Sequence, residues 1–252
     1  FCSAYHPDKT PTLMVLDLPF LGVETLRQEG ALDMAVYKHP AAVKDLARWN
    51  ATILMASPLP QYNLAGVGKA PKTVADFKGH RSRATGGIGD AMKRIGAVPT
   101  SVTSSEAYTA LETGVVDSVA FAPHAHLSFR TIDIAKWWTS NFNPGSVNCP
   151  VVVNTDALKG LSAKHRDALL SSVDEAMEFY YVTYDKTYKK WDAKLKERNI
   201  EVVNLSPAVI AAIKNAAADP VRDAWIAGMK EKGLPGQELY DFTVNELAKL
   251  KK

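Results

Sequence analysis

The run His80-Arg81-Ser82-Arg83-Ala84, followed by Gly86, Gly87 and Gly89, concentrates the residues most capable of binding chemistry. A guanidinium stays charged at any physiological pH and offers its N–H groups as a fork that matches a carboxylate. The glycines let the backbone turn sharply from a short extended run into a helix. Arg83 then stands at the carboxyl end of a strand beside a helix N-terminus, where two sources of positive potential converge. The expected ligand is an anion. Arg81 lies two residues earlier on the same strand face and is a second candidate. Internal pairing of Arg83 with Asp90 or Glu106 is the structural alternative.

Other reactive types are sparse. His124 and His126 form a His-x-His pair that on a strand would point both rings one way and could hold a metal. No nearby Cys, Asp or Glu completes a ligand set, so the pair reads as a surface feature and no metal is expected. Cys149 with His124 or His126 as base is the hydrolase alternative. It lies in a strand-like run before Pro150 and Val151, without a helix N-terminus to activate the thiol. There is no Gly-x-Ser-x-Gly elbow and no Walker loop, so neither catalysis nor a cofactor is expected. Cys2 and Cys149 are the only cysteines, and their spacing leaves one disulfide and two buried thiols equally open. Phe121, Trp137 and Trp138 either belong to the core or wall a pocket. If one lines a cleft, the ligand has an apolar or aromatic portion.

The elements that must position these groups follow from local pattern. A helix is predicted from Gly86 to about Ile95 with Gly96 as its cap, then a strand over Val98 to Val102. Thr103 and Glu106 have capping-box spacing, Ala107, Ala110 and Leu111 make an apolar helix face, and Gly114 ends it before a strand from Val115 to Phe121. Strands alternating with short helices predict a parallel sheet. Apolar residues from Leu169 to Leu195 recur every three or four positions, and Ser162 to about Arg198 contains no Gly or Pro. One helix of roughly 55 Å is predicted there, long enough to lie across two lobes. Its aromatics, Tyr180, Tyr181, Tyr184, Tyr188 and Trp191, read as packing. Ser206-Pro207 opens a later helix, Asp219-Pro220 is predicted to break it, and amphipathic helices continue to the end.

With 252 residues, 46% hydrophobic and 23% charged, the chain has the composition of a globular protein. A net charge of +3 with mixed signs gives no support for nucleic-acid binding. No apolar stretch approaches the roughly 20 residues of a membrane span, and the start lacks the order of a signal peptide.

The segment resembles the periplasmic solute receptors of tripartite ATP-independent (TRAP) transporters, the DctP-type family. Asp76-Phe77-Lys78-Gly79 leading to Arg83 matches one family pattern. Ser105, Glu106, Tyr108, Ala110, Leu111, Gly114, Val116 and Asp117 match a second, more specific one. Asp17-Leu18-Pro19-Phe20-Leu21 and Val147-Asn148 leading into Val151 to Asn154 extend the likeness over most of the chain. The resemblance implies an α/β two-lobed clamshell with mixed, mostly parallel sheets and a long helix crossing both lobes. Residues 1–60 and 151–190 would form one lobe, 61–150 and 191–252 the other. It further implies that Arg83 pairs with a substrate carboxylate, that Asn148 hydrogen-bonds the ligand, and that Asn63 contributes a contact; Trp138 joins Phe121 as a candidate pocket wall on its residue type alone. The implied partners are a small organic acid and the transporter's membrane subunits, for a monomer in the periplasm. Phe121 stands where many acid-sugar and dicarboxylate receptors carry asparagine, which points away from those substrates. Phe1 reads as the end of a third strand, so the family's opening strand-helix-strand is expected to be absent.

Overall fold

A computed structural model describes residues 1–251. The chain opens with an extended segment whose Phe1 and Ser3 N–H groups donate to the carbonyls of Pro150 and Asn148. Two 3-10 turns, Ser3–Tyr5 and Leu13–Asp17, follow. Thr25 and Gln28 form a reciprocal capping box that starts α1 (Leu26–Tyr37). His39 caps α2 (Pro40–Ala47), which has proline in its first turn. Then come β1 (Ala51–Ala56), β2 (Asn63–Gly66), β3 (Arg81–Arg83), α3 (Gly86–Arg94), β4 (Val98–Thr100), α4 (Ala107–Glu112), β5 (Ser118–Phe121), α5 (Pro123–Ser128) and β6 (Trp137–Thr139). The chain ends with β7 (Pro150–Asn154), α6 (Thr155–Gly160), α7 (Ala163–Ser171), α8 (Val173–Glu197), β8 (Glu201–Val203), α9 (Pro207–Glu231) and α10 (Gly236–Leu250).

Six strands form one mixed sheet in the order β4-β3-β5-β2-β6-β8. The pairs β3–β4, β3–β5 and β6–β8 are parallel, while β2 runs antiparallel to both neighbours. A separate antiparallel pair, β1 with β7, carries the second layer. One core surrounds the large sheet, with Leu64, Phe77, Ile88, Met92, Val119 and Phe121 buried in it. A second core joins Leu13, Leu32, Val36 and Leu46 to Val221 of α9 and Leu247 of α10, so the last helix packs on α1. α8 bridges the two halves, touching β1 on one side and α5 on the other. Among the described residues no helix is long and apolar enough to cross a membrane.

Local predictions around Arg83 agree with the structure: β3 leads into α3, Gly96 adopts φ +86° after it, and the Thr103–Glu106 capping box is formed. Three others are corrected. The single helix over 162–198 divides at Ser172, because the Ser171 and Ser172 hydroxyls donate back to the carbonyls of Ala168 and Leu169 and compete with the helical ladder. Asp219-Pro220 does not end α9. Burial of Ile213, Ala217 and Val221 holds the helix through the missing N–H, and Arg222 clasps Asp219 across it at 2.7 Å. His124 and His126 lie on α5 rather than a strand, so their rings diverge. His126 is fully buried, not a surface residue.

Cys2 and Cys149 are joined in a disulfide. The two residues come within reach because the Phe1–Ser3 segment runs beside Asn148–Pro150, a pairing that neither cysteine's sequence neighbourhood announces. The sulfur of Cys149 is therefore bonded, and the hydrolase alternative loses its thiolate nucleophile.

Candidate functional site

Arg83 ends β3 with only 1% of its surface exposed, at the carboxyl ends of the three parallel strands β4, β3 and β5. Its guanidinium donates from Nε to the Val102 carbonyl at 3.1 Å, from one terminal nitrogen to the Ala120 carbonyl at 3.3 Å, and from the other to the Tyr5 hydroxyl. The charge lies over the Phe121 ring at 4.4 Å and near that of Tyr5. Among the described residues no carboxylate is in salt-bridge contact with it; Glu106 instead caps Thr103, and the Asp90 alternative is not formed. Three of the five N–H groups are used, which leaves one on each terminal nitrogen. A buried cation without a counter-charge is costly, so this arrangement suits an anion brought by a ligand.

The other candidates divide. Phe121 is the aromatic floor under the guanidinium and packs edge-on with Tyr62. Asn148 is buried at the crossing into β7, where Ser3 and Tyr37 donate to its Oδ1 and its amide donates to Asp17 at 2.7 Å and to the Leu13 carbonyl. Its polar atoms therefore tie the opening segment to the crossing. Asn63 accepts from Thr139 and the Phe142 N–H and donates to Asn143, so it orders the loop after β6. Asn63 and Trp138 both border a cavity of about 510 Å³ between the start of α1 and α8, away from the Arg83 guanidinium itself. Arg81 is not brought to the same place. It is bound by Asp117 and the Gly114 carbonyl at the surface. Arg81→Ala is expected to cost at most about 1 kcal/mol of stability, as for other exposed pairs, and to leave ligand affinity unchanged by calorimetry.

His126 shares its ring nitrogens with Thr131 and the Asn63 carbonyl, and burial pushes its pKa down to about 3. His124 meets the Tyr184 hydroxyl and is pushed down to about 4 by burial. Both rings are neutral packing groups, and among the described residues no metal-ligating cluster is present.

The sequence reading missed a polar stripe. Glu29, Asp33 and Tyr37 repeat every fourth residue along α1, and all three are buried. Asp17 and Ser146 face them: Ser146 donates to Glu29, while Asp17 accepts from Asn148. Burial pushes the Asp17 carboxyl up to about 7 against two hydrogen bonds from Asn148. Burial, then the Asp17 charge, pushes Glu29 up to about 7 as well, and burial, then the charges of Glu29 and Asp17, holds Asp33 well above the usual carboxylate range. A four-residue acid–acid–tyrosine repeat on a helix was the available signal.

These raised carboxyls make a sign-definite prediction. The folded chain holds protons there that the unfolded chain releases near pH 4, so stability falls as pH rises from about 4.5 to 7. Urea midpoints at pH 5 and pH 7.5 check it; an equal or higher midpoint at pH 7.5 contradicts it.

The family described as bacterial extracellular solute-binding protein, family 7 (DctP), matches residues 1–227. The 2,3-diketo-L-gulonate-binding periplasmic protein YiaO of Escherichia coli K12 is 27% identical over 226 residues, 86% of this chain. The chain spans only 65% of that relative's length. A marine metagenome TRAP solute-binding protein described as specific for aromatic acids, solved with 3-hydroxybenzoate, superposes with TM-score 0.87 at 21% identity, covering 100% of this chain and 78% of the other. A TRAP solute-binding protein of Rhodoferax ferrireducens with copurified benzoate gives TM-score 0.87 at 17% identity, covering 98% and 77%.

Proposed function

This chain belongs to the family 7 extracellular solute-binding proteins, the DctP-type receptors of TRAP transporters, and we propose that it captures a small organic carboxylate whose acid group pairs with Arg83. The observation that carries the reading is a fully buried guanidinium with no carboxylate partner among the described residues and an N–H left on each terminal nitrogen. Tyr5 and Phe121 face that charge and Tyr62 packs edge-on against Phe121, an aromatic surface that favours a ligand with an apolar or aromatic portion. The aromatic acids held by the two structural neighbours point the same way.

The receptor performs no chemistry; it closes around its ligand and delivers it, as a monomer in the periplasm, to the membrane subunits. Closure follows from contacts that both lobes make with the ligand only in the closed state. The lobes are residues 1–60 with 151–190 and residues 61–150 with 191–252, and the packing of α10 on α1 favours counting 236–250 with the first. Asn148 acts at the crossing, and Asn63 and Trp138 border the approach.

Thermal-shift screening against benzoate, 3-hydroxybenzoate, mandelate and short aliphatic acids tests the reading. Ligand at a hundredfold excess over its Kd adds about 2.7 kcal/mol of stability, a rise of several degrees. A flat response across aromatic and aliphatic acids alike removes the proposal.

A further inference from the structure

Tyr37 and Glu29 of the α1 stripe have hydrogen-bond partners in Asn148 and Ser146, but Asp33 between them has none among the described residues. Asp33 is 0% exposed, and neither of its carboxylate oxygens has a hydrogen-bond partner among the described residues. The second oxygen of Asp17 is equally buried and unpartnered. Glu29, one turn before Asp33, is held only by Ser146 among the described residues. An apolar residue or an asparagine would serve a core better than an acid with nothing to bond. Three buried acids therefore converge where no lysine or arginine of the chain bonds to any of them among the described residues.

This group is wired to the Arg83 end. Tyr5, which binds Arg83, belongs to the same short turn as Ser3, and Ser3 bonds Asn148; Asn148 in turn bonds Asp17 and receives the Tyr37 hydroxyl. Glu29 also reaches the 510 Å³ cavity beside α8, where Glu24 is paired with Lys251 at 3.0 Å and Arg27 with Glu178 at 2.6 Å, which leaves Asp185 and Asp192 as the further acids of the lining. An approach of that sign repels a bare anion and tolerates a molecule that also carries positive charge.

We propose that Asp33, with Glu29 and Asp17, is the second pole of the binding site and receives a protonated amine, which makes the ligand an amine-bearing carboxylic acid with an apolar or aromatic side group. The inference rests on the Arg83 reading for the acid end and adds the opposite charge. An ammonium supplies three N–H donors, enough to satisfy both Asp33 oxygens and one oxygen of a neighbouring acid. The raised acid pKa values agree with a cluster whose counter-charge comes from outside the chain.

Matched pairs test it by calorimetry: L-phenylalanine against 3-phenylpropanoate, and L-leucine against 4-methylpentanoate, each pair differing by the amine. The amine-bearing member is expected to bind at least tenfold more tightly. Asp33→Asn, close to isosteric, is expected to erase that difference, whereas Arg81→Ala, outside the site, is expected to keep it, with melting curves confirming the fold of both. Equal or tighter binding of the amine-free acids, still lost on Arg83→Ala, overturns the amine pole and leaves the carboxylate reading standing. Binding by neither member of either pair overturns the amine pole alone, and binding indifferent to Arg83→Ala overturns both.

Discussion

Arg83→Ala is expected to weaken binding of a carboxylate ligand by at least a hundredfold, the largest functional effect of any single substitution in this chain. Removing one member of a desolvated charge pair costs about 2–5 kcal/mol, because the other charge stays buried without a partner. Here the cost falls at the upper end. The guanidinium is 1% exposed and already oriented by Val102, Ala120 and Tyr5, so little ordering remains to oppose the interaction when a carboxylate arrives. Arg83→Met separates charge from packing, since it keeps the apolar stem against Phe121 while removing the fork. Both variants should melt near the wild type, because losing an unpaired buried charge offsets the lost packing. Arg83→Lys should recover only part of the affinity, as an ammonium cannot reach two carbonyls, a hydroxyl and a carboxylate together. Wild-type affinity in Arg83→Met would falsify the assignment.

Cys2→Ser is expected to give the largest loss of stability. The disulfide closes a loop of 147 residues, and in the chain-entropy model a loop of that size contributes about 5 kcal/mol. For a domain of this length that is a fall in Tm of about 10–20 °C. The damage should also reach the site. The bond fastens the opening segment beside Asn148, and Ser3 and Tyr5 on that segment bond Asn148 and Arg83. Thermal melts with and without a reductant measure the effect. A shift under 2 °C would show that the backbone hydrogen bonds of Phe1 and Ser3 hold the segment without help.

Much of the Arg83 neighbourhood was legible because its determinants are close in sequence. The Thr103–Glu106 box, the left-handed glycines Gly96 and Gly114 and the alternation of strand and helix each depend on residues within one or two turns. That local grammar puts Arg83 at a strand's carboxyl end whatever the rest of the chain does. The same grammar erred where packing outweighed it. Pro220 should stop a helix, yet the buried face of Ala217 and Val221 carries α9 past it. His-x-His on an extended run should face outward together, yet Pro123 in the first turn of α5 makes that run a helix and sends His126 into the core against Trp191.

What the sequence determined by itself is the α/β alternation, the family and a cation at a strand end, all properties of short windows. The tertiary structure alone decided three things: that this cation has no acid partner among the described residues, that the cysteines are bonded, and that Glu29, Asp33 and Asp17 converge. The reason is physical. Pairing between distant segments, 147 residues apart for the cysteines, is set by which surfaces lose water together, and burial of that kind leaves no fixed spacing between the partners.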